Sequence, residues 1–323
     1  MSMRGAATSS VVEGHAIRDA ARAPTHGTVL DKWLQLMFFF AGRAGWLVDG
    51  LRPLAPYIVN RVSRQIRTNT ALNARRIFGH ELADRERRRF AHAVTGSFYD
   101  FVADVGRCGR MSKGDLLAQI EHVAGEPAYL AARARRRGAV LVTAHMGSFE
   151  VGLAALRQVE ANVHVVFKRD AFGGFERLRS RARAVLGVKE APIDEGYASV
   201  IQLRDALLAD EVIVMQGDRA MPGQRYEVVP FLSGHLRLPM GPVKLARLTG
   251  SPIVPVFVVR GVSGRFTVYL AEPIWVDPDA QRVGGVDPAL RAVAKSIESF
   301  VGRYPAQWLR FDRPFVEDAE HGE

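Results

Sequence analysis

The sequence predicts an α/β fold in which a central, mostly parallel mixed sheet is flanked by helices. Short, continuous apolar runs that are rich in valine and isoleucine are typical of strands covered on both faces. Four such runs occur, at residues 139–144, 162–168, 211–216 and 253–259. Helical patterns lie between them, and strands that alternate with helices indicate a sheet with helices on both sides.

The segments between and after these runs complete the predicted core. Helical patterns cover residues 150–159, 174–186, 197–209 and 242–250. A short turn from Gly261 to Gly264 joins the last apolar run to residues 265–270. Because so short a connection favours a hairpin, we expect residues 265–270 to pair antiparallel with the run before them.

The N-terminal part of the chain predicts a different organisation. Residues 28–128 contain helix formers and few strand-like runs, which indicates a helical section packed on the main domain. We expect a disordered tail at residues 1–27, the α/β core at residues 129–315 and an acidic tail at residues 316–323.

Composition limits the kind of protein this is. Of 323 residues, 48% are hydrophobic, so the chain is able to bury a sizeable core. The lone cysteine, Cys108, excludes an intrachain disulfide and a cysteine-built metal site, which fits a reducing compartment. A net charge of +10 indicates a polyanionic partner, either nucleic acid or an anionic membrane surface.

An apolar run near the N-terminus raises the question of membrane contact. Residues 1–26 contain no apolar block, so no signal peptide is predicted. Residues 33–42 are strongly apolar but too few to span a bilayer, which takes about 20 residues. Nine arginines against three acids follow between Arg61 and Arg89, a pairing that favours a helix lying at a membrane surface. An ordinary core helix is the alternative.

A histidine stands where the first apolar run ends. In an open α/β sheet, ligands bind at the carboxyl ends of the strands, which is where His145 is expected. Glu150 follows in the predicted first turn of the next helix. A carboxylate bonded to one ring nitrogen would leave the other nitrogen as a general base. The alternative is a structural histidine that caps the helix.

Three other chemistries are excluded by their motifs. Ser148 is not in a G-x-S-x-G elbow, because Met146 and Glu150 occupy the glycine positions. The segment HELAD at residues 80–84 is not the zinc-protease motif H-E-x-x-H. Neither a P-loop nor a G-x-G-x-x-G fingerprint occurs.

Several blocks in order resemble the glycerolipid (lysophospholipid) acyltransferase superfamily, and in particular its bacterial lipid A branch of late lauroyl and myristoyl acyltransferases. The resemblance runs from about Lys32 to Phe315. It rests on an apolar and then arginine-rich opening and on the blocks GAVLVTAHMGSFEVG, VVFKRDAFGGFERLRSRAR, VIVMQGDRAMPGQRYEVVPFLSG, GSPIVPVFVVR and YPAQWLRFDRPF. The tryptophan of the last block, Trp308, is expected in the core.

The resemblance implies an acyltransferase with a His-x4-Glu dyad. His145 would be the catalytic base and Glu150 the carboxylate that orients it. Asp218 matches the aspartate of the third block, and its alternative role is that of a structural turn residue. The resemblance implies neither a metal nor a prosthetic cofactor.

Basic residues near the strand ends are the predicted substrate-binding groups, together with Asp218. Lys168 occupies a position where the family commonly has arginine, and Arg169 follows it. Arg219 stands where lipid A enzymes often have glutamine. Arg219 and Arg260 are expected to hold a phosphate or an acidic carrier, and a salt bridge to a nearby acid is the alternative for each.

The expected reaction moves a fatty acyl chain from a thioester of acyl carrier protein or coenzyme A to a hydroxyl of a lipid A-type or related glycolipid. The resemblance also implies a peripheral or monotopic enzyme on the cytoplasmic face of the inner membrane. Another acceptor, such as a lysophospholipid or an aminolipid, is an alternative. A non-catalytic nucleic-acid-binding protein is a further alternative, although the arginines are not interleaved with aromatics as such binding requires.

Overall fold

A central sheet organises the part of the chain that the structure, a computed structural model, describes: residue 40 and residues 43–168, 173–193 and 197–319. The strands are β1 (Ile120–Ala124), β2 (Ala139–Thr143), β3 (Val163–Phe167), β4 (Lys189–Pro192), β5 (Val212–Gln216), β6 (Tyr226–Phe231), β7 (Gly234–Pro239), β8 (Ile253–Arg260) and β9 (Phe266–Leu270). Seven of them form one sheet in the order β1-β9-β8-β2-β5-β3-β4, and β6 and β7 form a separate hairpin.

The sheet is mostly parallel, as the alternating pattern predicted. Strand β2 lies at its centre and pairs in parallel with both β5 and β8. Strand β9 pairs antiparallel with β8, which confirms the predicted hairpin after Gly264. Strand β1 then pairs with β9 and extends the sheet into the section expected to be helical, upstream of residue 129.

Helices cover both faces of the sheet. They are α1 (Gly45–Leu51), α2 (Leu54–Val62), α3 (Arg64–Phe78), α4 (Asp84–Cys108), α5 (Lys113–Ala118), α6 (Glu126–Arg133), α7 (Phe149–Val159), α8 (Gly173–Leu186), α9 (Tyr197–Leu208), α10 (Gly241–Thr249), α11 (Pro288–Arg303) and α12 (Val316–Ala319). The four helical patterns read from the core sequence correspond to α7, α8, α9 and α10, which confirms them.

Strand β2 shows why its sequence is apolar throughout. Successive strand residues face opposite sides of a sheet. Val140 and Val142 belong to the cluster beneath α9, α10 and α11, whereas Ala139 and Leu141 belong to the cluster beneath α7 and α8. Burying each of the larger side chains stabilises the fold by about 1.5–3 kcal/mol, so both faces of this strand contribute to the core.

The N-terminal helices pack on the core chiefly through α4. This helix has one apolar face, and its buried Tyr99 donates a hydrogen bond to the Val48 carbonyl of α1 at 2.7 Å. Arg52, which follows α1, pairs with Asp100 of α4 at 2.8 Å. Among the described residues no helix is long and apolar enough to cross a bilayer. The apolar run at residues 33–42 lies outside the described residues except for Phe40.

Candidate active site

The turn after β2 brings the predicted histidine to the edge of the sheet. Gly147 has a φ of 62°, a left-handed conformation that favours glycine. A Cβ atom at this position would lie 1.8 Å from the Val258 carbonyl oxygen of β8, so no side chain fits. The Ser148 side chain then caps α7 by accepting a hydrogen bond from the Val151 amide at 3.4 Å. The tight turn leaves His145 directly at the carboxyl end of β2.

The carboxylate bound to this histidine comes from the neighbouring strand. The His145 Nδ1 atom lies 2.7 Å from Asp218 Oδ1. Strands β2 and β5 are parallel neighbours in which Thr143 is paired with Gln216. The residues two positions further on, His145 and Asp218, therefore come side by side where the strands end. The His145 side chain is 30% exposed, whereas the Asp218 side chain is fully buried.

Asp218 is held in its ionised form by several donors. Trp308 Nε1 donates to its second carboxylate oxygen at 2.9 Å, and Arg310 donates to its backbone oxygen at 2.9 Å. Burial alone would raise the pKa of Asp218. The attraction and hydrogen bond of His145, the charge of Arg310 and the hydrogen bond of Trp308 outweigh burial and hold that pKa well below its usual value.

The partners of Asp218 belong to a segment that we name the C-terminal strap, residues 305–315. Its Leu309 amide donates to the His145 carbonyl at 2.9 Å, and Trp308 forms an antiparallel bridge with Met146. The Asn69 side chain of α3 donates to the strap in turn, at the Phe311 carbonyl, at 2.8 Å. The strap thus joins the turn that carries His145 to the N-terminal helices.

Glu150 does not make the contact that the sequence predicted. Its side chain is almost completely buried, and Arg179 of α8 donates to its Oε1 atom at 3.1 Å. Within the described residues its Oε2 atom has no hydrogen-bond partner. The predicted bond from Glu150 to His145 is therefore not formed. The first turn of α7 directs Glu150 towards α8, and β5 brings Asp218 to the ring instead.

The predicted basic residues fall in different places. Lys168 is exposed just after β3, and Arg169 lies outside the described residues. Arg260 forms an ion pair with Asp104 and lines a small separate pocket rather than the cavity that His145 faces. Arg219 lines the same cavity as His145. Of these four residues, only Arg219 is brought to His145 by the described structure.

The cavity that His145 faces has a volume of about 970 Å³. On one side its walls come from α2, α3, α4 and the C-terminal strap. On the other side they come from α7, α6 and the sheet face that α7 covers. Most of the lining is apolar, and includes Phe98, Phe101, Leu141, Leu153, Leu156, Val256 and Leu270. Lining residues run from Phe149 to Val159 along α7, whose 11 residues span about 16 Å. This shape accommodates a long apolar chain alongside the histidine.

Sequence reasoning missed the contributions of the C-terminal strap and of Arg179. Trp308 was expected in the core and is indeed buried, but its indole nitrogen serves the site. Its block, YPAQWLRFDRPF, places a tryptophan and two arginines within one short segment, which is the signal that the sequence offers. A tryptophan that is buried needs a partner for its N–H group, and Asp218 is that partner.

The chain is similar to known acyltransferases. The family model for bacterial lipid A biosynthesis acyltransferases matches residues 37–316. A phosphatidylinositol mannoside acyltransferase of Mycobacterium tuberculosis (strain CDC 1551 / Oshkosh) is 26% identical over 225 residues, which cover 69% of this chain and 69% of the relative. The protein of the same description from strain ATCC 25618 / H37Rv matches equally well.

Proposed function

The chain belongs to the bacterial lipid A biosynthesis acyltransferase family and is an acyl-transferring enzyme, and from this premise we propose that it moves a fatty acyl chain from a thioester donor to a hydroxyl of a glycolipid. The donor is acyl carrier protein or coenzyme A, each of which carries the negative charge that a +10 chain attracts. The observation that carries the proposal is the His145–Asp218 pair at the wall of a long apolar cavity.

We assign the catalytic base to His145 and the role of orienting carboxylate to Asp218. With Nδ1–H donated to Asp218, the free lone pair belongs to Nε2. Asp218 fixes the tautomer and stabilises the imidazolium that forms during the reaction. In the proposed mechanism Asp218 therefore has the orienting role that the motif suggested for Glu150. Glu150 instead positions Arg179, another residue that lines the cavity.

The chemical step proceeds by direct attack. The Nε2 atom of His145 removes the proton of the acceptor hydroxyl, and the hydroxyl oxygen bonds to the thioester carbonyl carbon. The electron pair of the C=O double bond moves onto its oxygen, which gives a tetrahedral oxyanion. As that pair returns, the C–S bond breaks, and the leaving thiolate takes the proton from the imidazolium. The acyl ester and the free thiol are the products.

The acceptor is proposed as a glycolipid because both comparisons involve sugar-bearing lipids by name. Arg219 is placed to contact the reacting groups from within the cavity. Lys168, Arg169 and Arg260 are proposed to act further out, on charged parts of the donor or acceptor. A lysophospholipid or an aminolipid acceptor remains the second candidate, since the family pattern departs at Lys168 and Arg219.

Membrane contact is proposed for the face of α1 and α2. Trp46 of α1 and Val62 of α2 are 77% and 78% exposed, which is unusual for large apolar side chains. Four further large apolar residues of these two helices are exposed, Leu51, Leu54, Tyr57 and Ile58. Exposed Arg61 and Arg64 lie beside them and suit anionic lipid head groups. We place the enzyme peripherally on the cytoplasmic face of the inner membrane.

The test incubates purified protein with acyl carrier protein and coenzyme A thioesters and with fractionated membrane lipids, and identifies the product by mass. His145→Ala should lower the rate by about 10²–10⁴, the usual contribution of a general base. Asp218→Asn should cost more activity than Glu150→Gln if Asp218 orients the ring. Arg181→Gln, at an exposed position of α8, is the control. Equal product from wild type and His145→Ala would refute the proposal.

A further inference from the structure

Arg219 is positioned by the same strand end that supplies Asp218. Gly217 and Asp218 separate Arg219 from β5, and a Cβ atom at Gly217 would lie 2.4 Å from a methyl group of Val142. The glycine therefore lets this segment lie close against β2, the strand that His145 follows two residues after its end. Asp218 turns to His145, while Arg219 lines the cavity that His145 also lines. A guanidinium and the proposed base thus face one cavity from adjacent strand ends.

The acids near Arg219 are bonded to other residues. The two carboxylate oxygens of Asp218 are hydrogen-bonded to His145 and Trp308. Both oxygens of Asp312 accept hydrogen bonds from Arg310 at 2.8 Å. Within the described part of the chain Arg219 has neither a hydrogen bond nor an ion pair, and its Nε atom is buried without an acceptor. Asp218 and Asp312 attract this guanidinium through space, but none of their oxygens accepts a hydrogen bond from it.

The surroundings of Arg219 favour the binding of an anion beside its guanidinium group. Burial lowers the pKa of Arg219 and the neighbouring positive charge of Arg310 lowers it further, while the charges of Asp218 and Asp312 offset part of this effect. A partly buried cation with no hydrogen-bonded acceptor is stabilised when an opposite charge arrives beside it. The proposed reaction creates a negative charge in this cavity, on the former carbonyl oxygen. That charge is absent while the donor is merely bound.

We propose that Arg219 donates to this oxyanion and stabilises the tetrahedral intermediate, which makes it a catalytic residue of the reaction proposed above and rests on that proposal. Preorganised donors aimed at a developing charge act most strongly in sites from which water is excluded. Arg219 lies in a mostly apolar cavity and is only partly exposed to water, which favours this role. The alternative is that Arg219 binds a phosphate of the substrate equally in the ground state and in the transition state.

The experiment compares Arg219→Gln and Arg219→Lys with wild type in the acyl-transfer assay, using the donor thioester on which wild type is faster. Arg219→Gln should lower kcat by about 10²–10³, the cost of losing one oxyanion donor, with the donor KM unchanged. Arg219→Lys should recover part of that loss, because a single charged donor remains. Arg181→Gln should behave as wild type, which shows that the loss does not follow from removing any arginine.

A further measurement separates the outcomes. An alkyl thioether of coenzyme A, which lacks the carbonyl, should bind Arg219→Gln and wild type equally. A raised KM with unchanged kcat would overturn the inference in favour of a phosphate contact. Wild-type kcat in Arg219→Gln, alongside an inactive His145→Ala, would overturn it while leaving the proposed function intact. Equal activity of wild type and His145→Ala would reject both.

Discussion

Trp308 Nε1 donates a hydrogen bond of 2.9 Å to Asp218 Oδ2, across 90 residues of sequence. The other oxygen of that carboxylate binds His145, so each oxygen has one assigned partner. The carboxylate is fully buried, so bulk solvent does not compete with these two partners in the folded protein. The indole therefore fixes the orientation of Asp218, and through it that of the imidazole. Trp308 is a positioning residue in the proposed mechanism.

Trp308→Phe should slow acyl transfer by about tenfold while retaining the fold. Phenylalanine keeps the packing against Phe231 and Phe315 but removes the N–H group. A carboxylate that has lost a donor attracts the proton of its histidine partner more strongly. The acidic limb of kcat/KM against pH should therefore move to higher pH, which loss of packing alone would not produce. Phe231→Leu, measured by the same profile, is the control. An unchanged profile in Trp308→Phe would contradict the positioning role.

The stability contributed by Asp218 should depend on pH in a defined direction. Its pKa in the folded state lies below its value in the unfolded chain. The ionised group therefore stabilises the fold above about pH 4, and this contribution is lost as the pH falls through the folded-state pKa. Chemical denaturation at several pH values should show that wild type has a higher free energy of unfolding than Asp218→Asn, with the full difference present at pH 7. This difference should become smaller below about pH 4. A difference that grew on acidification would contradict the prediction.

Filling the cavity along α7 should change the acyl chain that the enzyme prefers. Ala155 is partly buried and lines the cavity about 1.7 turns beyond Phe149. Ala155→Phe would occupy the space next to the apolar wall, so transfer of long acyl chains should fall relative to short ones. Competition among thioesters of different length measures this ratio. Val200→Phe, at a half-exposed position of α9 outside the cavity, should leave the preference unchanged.

Membrane binding should depend on the exposed apolar face of α1 and α2. Replacing Trp46 and Val62 together by serine should lower partition onto vesicles containing anionic lipid by at least tenfold. Full burial of one large apolar side chain is worth about 1.5–3 kcal/mol, and tenfold corresponds to about 1.4 kcal/mol. Val262→Ser removes an even more exposed apolar residue from the β8–β9 turn and is the control. Equal losses in both variants would argue against a specific membrane face.

The sequence predicted the central strands well because a strand that is buried on both faces is a continuous run of apolar residues. Strands β2, β5 and β8 are apolar at nearly every position, and periodicity alone locates them. Strands β1 and β4 lie at the edges of the sheet and are partly exposed. Polar residues therefore interrupt their apolar pattern, and neither strand was predicted. The hairpin of β6 and β7 was missed for the same reason, since its exposed residues break the apolar pattern.

The site was predicted only in part, because its central contact depends on strand order. The position of His145 follows from where β2 stops, which is a local property. Its partner follows from the fact that β5 lies beside β2, and a single sequence does not state that order. Local spacing therefore favoured Glu150, five residues away, over Asp218, which is 73 residues away. Trp308 is more distant still, and only tertiary packing brings it to the carboxylate.

The contact between the C-terminal strap and Asp218 determines when the candidate site is completed during protein synthesis. A ribosome releases His145 first, Asp218 much later and Trp308 close to the end of the described chain. A nascent polypeptide therefore holds the base and its carboxylate before the indole that secures them has been made. In the proposed mechanism, chains that stop before residue 308 lack the indole donor to Asp218, so we expect them to transfer acyl groups more slowly than chains that contain it.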